Sequence, residues 1–162
     1  MNGGEMLSIR RFKKEDAKAV SDLIMKTLLI TNAVDYGREY MQEYCENMTV
    51  EKVLECDRDT HFYVAVEDGK IVGCAGIGLN TQNTEVSELH KLFIDPEYQG
   101  RGIGKNILCV LEKDEYALNS KKITGTSSIT AVDFYEKMGY GYKEGTKTLD
   151  EVGLCYNIVK YV

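Results

Sequence analysis

The chain has 162 residues, a length that a single domain with a full hydrophobic core accommodates. Its net charge of −6 argues against a general affinity for nucleic acid, and no apolar run approaches the ~18 residues that would span a membrane. Five cysteines, odd in number and with no C-x-x-C pair, exclude a disulfide framework and a cysteine-based metal site; they read as small apolar residues. The start "MNGGEMLSIRRF" has no apolar leader core, so the expectation is one cytoplasmic domain over residues 1–162.

In chain order, "LSIRRF" predicts a first strand, and Ala17, Val20, Leu23, Ile24 and Leu28 recur at the spacings of an amphipathic helix. A second helix is expected over "YGREYMQEYCENM", followed by a shorter one over "TVEKVLEC" with Thr49 as its cap. Tyr36, Tyr40 and Tyr44 then form a stripe, read as core in preference to an amine-holding surface. "HFYVAVE" and "KIVGCAGIGL" flank Asp68-Gly69, a dipeptide that supplies the positive φ angles of a tight hairpin turn.

"EVSELHKLFID" predicts the next strand, whose alternation puts Glu88, His90, Leu92 and Ile94 on one face. A helix from about Gly102 to Leu118, a strand "KKITGT" and a helix "ITAVDFYEKM" stopped by Gly139 follow. "GYGYKEG" and "LCYNIVKYV" complete a mixed α/β domain, and the exposed last strand offers an edge for a homodimer. His61, at the start of a separate strand, reads as structural.

The chemistry concentrates in "PEYQGRGIGKNIL". It is not a P-loop, because Gly104-Lys105 is followed by Asn106 instead of Ser or Thr. It is not a dinucleotide fingerprint either, because the spacing is G-x-G-x-G. Glycines opening a helix still let backbone N–H groups approach an anion, helped by the helix dipole and by Arg101 and Lys105.

With its flanks, this stretch resembles the acetyl-coenzyme A site of the GNAT superfamily of N-acetyltransferases. The family signature Q/R-x-x-G-x-G/A stands complete as Gln99-Gly100-Arg101-Gly102-Ile103-Gly104. A second family feature appears in "SITAVDFYEKMGY", with Ala131, Phe134, Tyr135, Gly139 and Tyr140 in step and Ser128 where the family often has Asn. The resemblance implies the GNAT-like fold: a mixed, mostly antiparallel sheet with flanking helices and a V-shaped splay between its central strands.

It further implies that Gln99 to Gly104 hold a pyrophosphate, aided by Lys105. Leu92, Phe93 and Ile94 would accompany the pantetheine arm of acetyl-CoA, with Ser128, Ala131 and Phe134 on its other side, although Phe134 alone reads as core. Tyr135 takes the place of the acid that protonates the departing thiolate. The base is Glu88, His90 or a water relay. No metal is implied, and the acceptor is the primary amine of a small molecule or peptide. The rivals are an acyl-CoA-binding module of the same fold and a nucleotide binder using the glycine loop.

Overall fold

A computed structural model describes residues 6–162; the reading of the first five residues as lacking a leader core lies outside them. Five residues, Leu7–Arg11, form β1. A 3-10 turn (Lys14–Asp16) leads into α1 (Ala17–Thr27), a π-helical turn (Leu28–Asn32), α2 (Ala33–Tyr36) and α3 (Arg38–Cys45). Gly37, at φ 86, separates α2 from α3, so the helix expected from Tyr36 starts at Arg38 and Tyr36 belongs to the unpredicted α2. Thr49 caps α4 (Val50–Asp59) by accepting from the Lys52 amide, as expected.

The hairpin β2 (His61–Glu67) and β3 (Lys70–Leu79) ends where the sequence places it, with Asp68 and Gly69 at φ 50 and 75. After β4 (Val86–Ile94) come α5 (Ile103–Glu112) and α6 (Glu115–Leu118). The predicted continuous helix is cut here, because the Asp114 side chain accepts from the Tyr116 amide and starts a new one. The chain closes with β5 (Lys122–Ser128), α7 (Val132–Lys137), the short β6 (Gly141–Tyr142) and β7 (Leu149–Asp150), and β8 (Cys155–Tyr161).

The strands form one sheet in the order β1-β2-β3-β4-β5-β8-β6, with β7 also on β8. All neighbours are antiparallel except β4 and β5. One face is covered by α1, whose Val20, Leu23 and Ile24 pack with Met41, Phe62 and Cys74. On the other face α5 supplies Ile103, Ile107, Leu108 and Leu111 against Ala75, Ile77, Ile123 and Ile158. Each such fully buried aliphatic side chain contributes about 1.5–3 kcal/mol of transfer free energy, which is what fixes the two layers on the sheet.

Candidate functional site

The parallel pair β4 and β5 meets at only three positions, Val86↔Lys122, Ser87↔Ile123 and Glu88↔Thr124. Beyond them β4 runs on to Ile94, while β5 stays with β8 all the way to Ser128. The sheet therefore opens into a V, and backbone groups along one edge of β4 lie free of any ladder. At the closed end, Ser87 Oγ donates to Tyr116 O at 2.8 Å and shares a hydrogen bond with Ser120 Oγ. Thr124 Oγ1 donates to Ser87 O at 3.3 Å across the last pair.

Inside the V, β4 carries a bulge. Lys91 has φ 55, and the β3 register slips between Cys74 and Gly76, so one residue of β3 spans two of β4. This overturns the expected common face. Leu89, Leu92 and Ile94 pack on the α5 side, with Ile77 and Ile107. Glu88 and His90 pair with Gly78 and Gly76, whose open side lies against Thr60 and Phe62 on the α1 side. A single extra residue moves the second half of the strand's side chains to the opposite face.

At the mouth of the V sits the glycine turn. Asp95 is its anchor: the carboxylate accepts from the Glu97 amide at 2.9 Å and from Lys26 Nζ at 3.0 Å. Gln99 Nε2 donates to Ile94 O and to Thr31 Oγ1, each at 3.1 Å, which holds the turn to the end of β4. Gly100 and Gly102 have φ 78 and 81, and a Cβ on either would meet nothing within 4 Å, so the space before them is open. Gly102 starts α5 without a side-chain cap, which leaves the first helical N–H groups free for an anion.

Gly104 serves differently, since a Cβ there would press on the Phe134 ring at 3.4 Å. Arg101 is held in place. Its guanidinium lies 4.8 Å from the Tyr98 ring centroid and 3.7 Å from Glu67 Oε2. Glu67 Oε2 is enclosed and makes no hydrogen bond, so Arg101 is its charge partner. Lys105 is exposed at the start of α5.

On the α5 side, Tyr135 is 6% exposed and packs edge-on against Phe134 and Tyr140. Its hydroxyl makes no hydrogen bond among the described residues, yet it is not sealed, since the only fully enclosed oxygen of that kind is Glu67 Oε2. Burial pushes its pKa up, so the phenol keeps its proton throughout the neutral range. Phe134, expected as the core member of the pair, is instead the more open one, beside Gly104. Ser128 Oγ accepts from the Ala131 amide at 3.1 Å and so shapes the turn that opens α7.

On the α1 side, Asn80 Nδ2 donates to Glu88 Oε2 at 3.2 Å. The Asn80 carbonyl accepts from the Gln82 and Asn83 amides, which fixes the side-chain amide. Sequence spacing alone gives no signal for this partner, because the β3–β4 connection creates the contact. His90 reaches the surface, but crowding by neighbouring atoms lowers its pKa, opposed by the nearby Glu88 charge.

The tyrosine stripe is not core. Tyr40 and Tyr44 are 37% and 43% exposed, and Met41 fills the buried position of α3. Only Tyr36, on α2, packs at the edge of the core, with its ring stacked on Tyr40. His61 is structural as expected: its Nδ1 bonds Asp114 at 2.9 Å and its ring stacks on Tyr116. Among the described residues no three His, Cys, Asp or Glu side chains cluster as metal ligands, and no helix is long and apolar enough to cross a membrane.

A sheet that parts between two parallel strands, with an open glycine turn at its mouth, is the architecture of an N-acetyltransferase. Residues 15–155 match the Acetyltransferase (GNAT) domain, and the chain belongs to that family. The structure superimposes with a TM-score of 0.79 on the PaiA N-acetyltransferase of Thermoplasma acidophilum in complex with coenzyme A, at 22% identity, covering 97% of this chain and 99% of that one. An uncharacterized N-acetyltransferase of Methanocaldococcus jannaschii is 34% identical over 96 residues, which make up 53% of this chain and 41% of the relative. The spermidine N(1)-acetyltransferase of T. acidophilum is 24% identical over 83% of this chain and 88% of its own length. Against several other curated relatives the chain spans only about half of their length.

Proposed function

We propose that the protein transfers an acetyl group from acetyl-CoA directly to a primary amine. The observation that carries this reading is the half-paired β4–β5 couple with Gly100 and Gly102 open before it. The cradle fits the group: uncapped N–H donors, space where a Cβ would stand, and Arg101 and Lys105 nearby suit a pyrophosphate. The unpaired edge of β4 offers backbone partners to an amide-bearing arm inserted in the gap. When bound, acetyl-CoA supplies the activated acyl carbon and a thiolate leaving group.

The chain's own residues divide the remaining work. Glu88, oriented by Asn80, takes the proton of the incoming ammonium from the α1 side, directly or through a water. A backbone amide near Leu92 donates to the acyl oxygen as negative charge develops there. Tyr135, protonated and on the α5 side, gives its proton to the departing sulfur. Acid and base thus approach one gap from opposite faces and do not neutralise each other.

The test is a thiol-release assay with acetyl-CoA across amines of several classes: spermidine, an amino sugar, an aminoglycoside and a lysine peptide. Release that depends on one class of amine supports the reading and names the acceptor. Coenzyme A binding without turnover on any amine assigns the acyl-CoA-binding module instead. Tighter binding of NAD or ATP than of coenzyme A overturns both.

A further inference from the structure

The two arms of the V are joined across their open end by one helical run. On the β4 arm, Thr27 Oγ1 donates to Ile94 O at 3.3 Å, Lys26 holds Asp95, and Thr31 receives Gln99. On the other arm, Tyr36 Oη accepts from the Ile129 amide at 2.8 Å, just after β5, and donates to Leu154 O at 2.6 Å, just before β8. Asp35 reinforces that side by accepting from Thr130 Oγ1 at 2.7 Å.

Tyr36 stands nine positions after Thr27, roughly 13 Å of helical rise. The run is anchored below by Ile24 and Leu28, buried in the α1-side core with Phe62 and Cys74. Its π-helical turn, Leu28–Asn32, carries Thr31, the last of the β4-arm attachments. The β5 arm needs such a support. Past Thr124 it has lost β4, and its only strand partner is β8, which pairs otherwise only with the short β6 and β7.

We propose that Tyr36 is a positioning residue that sets the width of the V: its hydroxyl pins the ends of β5 and β8 to the helical run whose other end is fixed to β4. Both hydrogen bonds of its hydroxyl are to backbone groups. It acts through the Ser128–Ala131 turn, which it holds at the distance a coenzyme A arm requires. The inference rests on the β4–β5 gap being the donor's site.

Calorimetric titration with coenzyme A tests it, at 25 °C and well below the melting transition of every variant. Wild-type protein that fails to bind coenzyme A defeats the functional reading itself, whatever Tyr36 does. Given wild-type binding, Tyr36→Phe is expected to raise Kd about tenfold, the scale of one or two lost hydrogen bonds. Thr130→Val, which removes the outer link, is expected to raise it about threefold in the same direction.

The control is Tyr63→Phe, which deletes a comparable 2.7 Å bond to Asp114 away from the V. It should lower Tm and leave Kd unchanged. An unchanged Kd in Tyr36→Phe, or an equal rise in Tyr63→Phe, overturns the proposal by reducing Tyr36 to a general contribution to stability.

Discussion

Glu88 and Tyr135 stand on opposite faces of one sheet. Glu88 pairs with Gly78 on the side covered by α1, whereas Tyr135 is buried with Ile77 and Ile123 under α5 and α7. In the proposed mechanism the gap between β4 and β5 is where the two faces meet. Glu88→Gln is therefore expected to reduce kcat/KM for the accepted amine about 100-fold, with His90→Gln costing much less. A larger loss from His90→Gln would transfer the base to the histidine.

Tyr135→Phe should lower kcat by about 10- to 100-fold and leave the KM for acetyl-CoA unchanged. Because the hydroxyl has no hydrogen-bond partner among the described residues, Tm should barely move. Acting from separate faces, the two residues should combine multiplicatively in Glu88→Gln/Tyr135→Phe. Strong non-additivity in the steady-state rates would show that they share one proton path.

Gly102 and Gly104 separate conformation from packing. At φ 81, Gly102→Ala pays a left-handed backbone cost of about 1 kcal/mol and should weaken coenzyme A binding. Gly104 is helical, and a methyl there meets the Phe134 ring at 3.4 Å and Ile94 Cγ1 at 3.7 Å. Gly104→Ala should be neutral or stabilising by up to about 1 kcal/mol. Urea midpoints and coenzyme A titrations on the pair read both effects.

Arg101→Ala should raise the Kd for coenzyme A about tenfold, with the difference shrinking at high salt. It also strips the enclosed Glu67 Oε2 of its cation and should lower Tm. Adding Glu67→Gln to that variant should recover stability without recovering affinity. Recovery of affinity in the double variant would mean that Glu67 repels the ligand and Arg101 merely shields it.

Stability should fall at both ends of the pH scale. Hydrogen bonds from Arg10 lower the Asp16 pKa; at Asp114 burial works upward, but Tyr63, the Tyr116 amide and His61 outweigh it. Carboxylates lowered in the fold contribute fully above about pH 4, and the contribution is lost as pH falls through their folded values. Burial, then the Asp114 bond, pushes Tyr63 up to about 12, and burial also raises Tyr135. Those phenols cost nothing below about pH 10, above which stability is lost as the unfolded chain ionises first. Melting curves against pH should show a neutral plateau, with the acid limb flattened in Asp114→Asn and the alkaline limb in Tyr63→Phe.

The hairpin was legible residue for residue because Asp68 and Gly69 are the chemistry its turn demands. The glycine turn and the α7 region were legible because their motifs are local. The bulge was not: Lys91 is an ordinary residue in a left-handed conformation, imposed by the pairing of β3 with β4 and unannounced by any glycine. Asn80 beside Glu88, and Tyr36 beside Ile129 and Leu154, were hidden for a related reason, since each pairing is made by the fold and not by spacing. The short β6 falls inside "GYGYKEG", where a strand was expected, whereas the two-residue β7 carries too little pattern and went unpredicted.

The bulge at Lys91 also partitions how this protein can change over generations. Positions 88 and 90 look toward one compartment, while positions 92 and 94 look toward another, although all four belong to a single strand. Substitutions at 88 and 90 therefore alter the α1-side face without altering the side chains at 92 and 94 on the α5 side. Under the proposed function, the acceptor's surroundings could then change while the side chains facing the acyl carrier stay the same.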